Sequence, residues 1–118
     1  MVKIEQLAEA ALDGAALRLR AMAQDWLAEN PHIDRCERPA VADFRVLAVA
    51  ASLAELFAER VGQSAPPWTS SVGPLPEPAY LVRAATTMKR LRSLCERESP
   101  LPLRKRRLYA PPDYLRFV

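Results

Sequence analysis

Apolar residues recur at spacings of three and four along the first segment: Ile4, Ala8, Ala11, Ala15, Leu19, Met22 and Trp26, with Leu7, Leu12 and Leu27 widening the stripe. That period marks one face of an α-helix. The stripe keeps its phase across Gly14, so the pattern predicts a single helix over 3–29 despite a glycine cost of about 1 kcal/mol against alanine. Asn30-Pro31 stops it, because the residue before a proline avoids helical dihedrals. After the loop PHIDRCER, Pro39 suits the first turn of a second helix over 39–61. From Val41 to Val61 that helix is apolar around most of its circumference. Only Arg45, Ser52, Glu55 and Glu59 form a narrow polar strip, which is the pattern of a helix covered on several sides. Its many alanines allow close helix approach, and Gly62 is its stop signal.

Residues 63–79 hold five prolines and exclude a regular element. Trp68 and Leu75 are the residues expected to anchor this loop. Glu77-Pro78 then opens a third predicted helix over 78–97, with Leu81, Ala84, Ala85, Met88, Leu91 and Cys95 on its apolar side. Its other side is basic, with Arg83, Arg90 and Arg97 seven apart beside Lys89 and Arg92. Residues 98–118 show no helical period beyond one short turn at Pro112. The expected fold is all-α: one three-helix bundle-like domain with a long Pro/Trp loop and an extended, Pro-rich, basic and aromatic C-terminal tail.

The 118-residue length fits one domain. The longest apolar run, Val46 to Ala51, is far short of the roughly 20 residues that span a bilayer. Two cysteines and an N-terminus without the basic and apolar regions of an export signal lead to the expectation of a cytoplasmic protein with reduced thiols. Arginine-rich, alanine-rich composition suggests a GC-rich bacterial genome. The net charge of +3 is unevenly spread: −3 over residues 1–60 and +6 over residues 61–118. Such polarity suits an acidic partner or nucleic acid, and it also suits attraction between the two halves of one fold.

The basic run Arg104, Lys105, Arg106, Arg107 joins Arg83, Lys89, Arg90 and Arg97 as a candidate nucleic-acid surface, since counterion release gives cationic patches affinity for phosphates. No helix-turn-helix, zinc-finger or RNA-recognition spacing accompanies it. The alternative is a solvated face, or pairing with the acidic residues Glu5, Glu9, Asp13, Asp25 and Glu29. Leu108, Tyr109, Tyr114, Leu115, Phe117 and Val118 make the tail too apolar for a free basic arm. Its four prolines lower the entropy lost on docking, in cis on its own helices or in trans on a partner. Trp68, Leu108, Tyr109, Tyr114, Leu115 and Phe117 are therefore the candidate partner-binding set. His32, Asp34 and Cys36 alternate in a loop but lack a fourth zinc ligand unless Glu37 or distant Cys95 supplies it, so no metal site and no cofactor are expected. With one histidine and three scattered glycines, neither a catalytic triad nor a phosphate loop is indicated.

The closing pattern ESP, LRKRRLYAPP and a Leu-rich end, with the preceding proline-and-Trp loop, resembles small uncharacterised bacterial proteins encoded beside predicted nucleotidyltransferase-type toxins. The resemblance covers residues 64–118 and implies an antitoxin role without supplying catalytic residues. Three functions are expected to compete: a non-enzymatic protein-interaction module docking through its tail, a nucleic-acid-binding regulator, and a self-associating structural protein. No membrane and no small-molecule substrate enter any of them.

Overall fold

The computed structural model describes residues 1–117; the expected anchor Val118 lies outside them. The chain is mostly helical, in the order α1 (Ile4–Leu12), α2 (Ala16–Glu29), α3 (Phe44–Val61), β1 (Ala79–Tyr80), α4 (Lys89–Glu98), α5 (Leu101–Arg104) and β2 (Leu108–Tyr109). Its radius of gyration of 13.1 Å is close to the roughly 13 Å of a packed domain of about 100 residues.

The central element is α3. Asp43 caps it by accepting from the Arg45 amide at 2.9 Å, and Gly62 ends it at φ 74°. Residues 39–42 precede the cap, so the helix begins after Pro39 rather than at it. Its near-uniform apolar surface is covered by α1, α5 and the Pro/Trp loop. Trp26 from α2 meets Phe57 with ring centroids 5.9 Å apart.

The single helix expected over 3–29 is two. Gly14 sits at φ 68°, the left-handed conformation that terminates α1, and α2 restarts at Ala16. The turn is held from far along the chain: Arg83 donates from Nε and Nη2 to the Asp13 carbonyl at 3.1 and 2.6 Å. A guanidinium there also opposes the negative end of the α1 dipole. A Cβ on Gly14 would lie 2.7 Å from Arg83 Cγ. Gly14→Ala is therefore expected to cost about 2 kcal/mol from left-handed strain and displacement of Arg83, lowering the thermal midpoint by about 8 °C.

The third predicted helix is shorter than expected. Its first half is β1 followed by a 3-10 turn over Arg83–Thr86, and α4 starts only at Lys89. The reason is pairing with the C-terminal segment: β1 runs parallel to β2 with Ala79 opposite Leu108 and Tyr80 opposite Tyr109. Amides of Leu75, Ala79 and Leu81 donate to the carbonyls of Arg106, Arg107 and Tyr109. The C-terminal segment is correspondingly not an extended tail. It forms α5 and β2 and lays Leu103, Leu108, Ala110 and Tyr114 into the same buried cluster as α3.

Candidate functional site

The basic run divides when it folds. One turn of α5 and the left-handed Arg107 (φ 64°) turn Arg106 inward while Arg104, Lys105 and Arg107 remain exposed. Arg106 is 1% exposed and fully engaged. Its Nη1 and Nη2 donate to the two Glu55 carboxylate oxygens at 2.8 and 2.9 Å. Nε reaches the Val72 carbonyl, Nη2 the Thr69 carbonyl and Nη1 the Pro102 carbonyl. One side chain thus ties α3, the Pro/Trp loop and α5 together. Arg106 is consequently unavailable to a phosphate.

Burial pushes the Glu55 carboxyl upward, but hydrogen bonds from Arg106 and Lys105 outweigh it and lower the pKa to about 2. A depressed carboxylate stabilises the fold above its unfolded pKa and loses that contribution as pH falls through the folded value. Stability linked to Glu55 is thus expected to hold above about pH 4.5 and to fall between there and about pH 2. Urea midpoints measured across that range check it, with Glu55→Gln removing this part of the slope.

Of the other candidate cations, Lys89, Arg90, Arg97, Arg104 and Arg107 are exposed, and none pairs with a carboxylate among the described residues. Arg104 donates to the Arg97 carbonyl, which brings those two together. Lys89 and Arg90 occupy the first turn of α4, where cations oppose the helix dipole. Arg83 belongs instead to the α1 terminus.

The aromatic candidates also separate. Trp68 is half-buried and donates Nε1 to the Cys36 carbonyl at 2.8 Å, anchoring the loop as expected. Leu108 is buried, and Tyr109 packs on Tyr80 with centroids 5.4 Å apart. His32 and Asp34 point to solvent without joining Cys36. Burial, with the Glu5 and Glu37 carboxylates, pushes the Cys36 thiol up to about 11, so it is a protonated side chain at neutral pH. No group of three or more His, Cys, Asp or Glu side chains converges among the described residues. Nor is any described helix long and apolar enough to cross a membrane.

Tyr114, Leu115 and Phe117 do come together, on α2. With Leu17, Leu19, Leu81 and Val82, Tyr114 and Leu115 line a cleft of about 440 Å³ that Gly14 and Ala16 of the α1–α2 break also border. Phe117 lies beside it under the Arg20 guanidinium, 5.2 Å from ring centroid to Cζ. Leu17 stands on the rim and is 87% exposed. Periodicity could not reveal this cleft, because Leu17 falls off the apolar stripe of the first segment and the opposite wall arrives from residues 81–84 and 114–115. In comparisons with known proteins, the chain matches no family model, no curated protein and no solved structure.

Proposed function

We infer that the chain is a non-enzymatic protein-interaction module whose C-terminal segment completes its own fold and supplies one wall of the binding cleft. An antitoxin or another regulatory partner is the role this reading fits. The observation that carries it is Leu17, a large aliphatic side chain left 87% in water at the lip of an apolar cleft. Covering such a side chain returns about 1.5–3 kcal/mol, and apolar knobs beside clefts are where partner binding concentrates. The interaction surface is thereby centred on Leu17, Tyr114 and Leu115, with Phe117 beside them on Arg20, whereas Trp68, Leu108 and Tyr109 are engaged within the fold away from this cleft. A photo-reactive amino acid placed at position 17, in the cells that make the protein, is expected to crosslink one discrete partner. The same probe at exposed Ser70 serves as control. Equal crosslinking at both positions, or none at position 17, would contradict the reading.

A second reading, a nucleic-acid-binding regulator, draws support from the five exposed cations without carboxylate partners, two of them set against the α4 dipole. It requires binding of single- or double-stranded nucleic acid at low salt that weakens steeply as salt rises. The slope should also shrink in Arg90→Gln and Arg97→Gln. Undetectable binding at low salt rules this reading out.

A further inference from the structure

We propose that the cleft between α2 and residues 81–84 receives an acidic amphipathic polypeptide segment, with one large apolar side chain seated in the cleft and carboxylates at its rim. The proposal rests on the interaction-module reading and names the chemistry of the partner. The walls of the cleft are aliphatic and aromatic, from Leu19, Leu81, Tyr114 and Leu115, so the inserted group is apolar. A small ligand filling the cleft would cover only the part of Leu17 that lines it, whereas a polypeptide crossing the lip covers the cleft and the remainder of that side chain at once.

The charge around the cleft selects the flanking residues. Arg20 and Arg83 line it, and exposed Arg18 and Arg116 are chain neighbours of the lining residues Leu17 and Leu115. Against these four stand two carboxylates: Asp13, which reaches Arg18 at 3.5 Å in an exposed pair, and exposed Asp113, the chain neighbour of the lining residue Tyr114, so the surroundings of the cleft remain net basic. Arg20, stacked on Phe117, and Arg83, which donates Nε and Nη2 to the Asp13 carbonyl and keeps Nη1, have no carboxylate partner among the described residues, so Arg20 is the guanidinium best able to offer a full fork. Guanidinium groups on an apolar rim favour carboxylates, which they bind in a forked geometry. The same charges disfavour a second copy of this chain, because a two-fold pairing would bring the arginines of both copies together.

A random dodecapeptide display library selected on the purified full-length protein tests this directly. Selected peptides are expected to share a large apolar residue flanked by Asp or Glu. Their affinity should fall at least tenfold on Leu17→Asp and on Arg20→Glu, both exposed positions where circular dichroism should be unchanged. Amide shifts should centre on Leu17, Leu81 and Leu115. Selection of basic or uncharged peptides, or binding indifferent to both substitutions, overturns the proposal. So does a dimer in light scattering that Leu17→Asp dissociates, which would make a second copy the occupant. Should crosslinking from position 17 still capture a partner after such a result, only the acidic chemistry fails; should that capture fail too, the interaction-module reading goes with it.

Discussion

Replacing Arg106 with alanine is expected to cost about 3–5 kcal/mol, the usual penalty for removing one member of a buried ion pair. The substitution strands more than Glu55. The carbonyls of Val72 and Pro102 lose their side-chain donor inside a packed junction, that of Thr69 keeps only the Val72 amide, and the Pro/Trp loop loses its tie to α5. Lys105 still reaches Glu55 Oε1 at 2.8 Å, which holds the effect toward the lower end of that range. Arg106→Lys should recover little, because an ammonium cannot serve two carboxylate oxygens and three carbonyls in one plane. A joint Glu55→Met, Arg106→Met variant should be more stable than Arg106→Ala, since it leaves no uncompensated buried charge. Urea unfolding checks all three through the midpoint, with the slope unchanged if only stability has moved.

Ending the chain at Glu98 is expected to abolish cooperative folding. The deletion removes the buried side chains of Leu103, Arg106, Leu108 and Tyr114 and uncovers Val72, Leu75 and Leu81 on the other side of the contact. Three large apolar side chains alone represent about 4.5–9 kcal/mol of burial. That equals much of the 5–15 kcal/mol by which domains are typically stable. The truncated chain should give a broad, featureless melt, and a peptide of residues 99–118 added in trans should restore a sharp one. A tail made for docking on another protein would leave the melt of the truncated chain unaltered.

The helical character of the chain was legible from spacing, and α3 most clearly, because its near-complete apolar circumference admits one interpretation and Gly62 ends it. The start of α3 was misread for a local reason, the Asp43 cap four residues after Pro39, whereas the larger misreadings were settled by residues far away in sequence. Gly14 interrupts the first helix without disturbing the phase of its stripe, and the contact that holds the turn comes from Arg83. Residues 79–80 have a helix-compatible pattern but pair with 108–109. Arg106 is indistinguishable from its neighbours inside LRKRR. A signal for it did exist at the other end of the pair, since a carboxylate on a helix as apolar as α3 requires a cation to meet it. Of the candidate site, Tyr114 and Leu115 were legible as apolar anchors, whereas Leu17 was hidden by lying off the periodic stripe.

The C-terminal segment packs as an integral part of its own domain. Native-state hydrogen exchange at the amides of Leu75, Ala79 and Leu81 measures this directly, because each donates to a carbonyl between Arg106 and Tyr109. Opening of the segment frees all three. Their exchange is expected to fall within about tenfold of the slowest α3 amides, as for groups that open only with global unfolding. Exchange more than about a hundredfold faster than α3, together at all three positions, would show a strap that lifts away independently and would contradict the account.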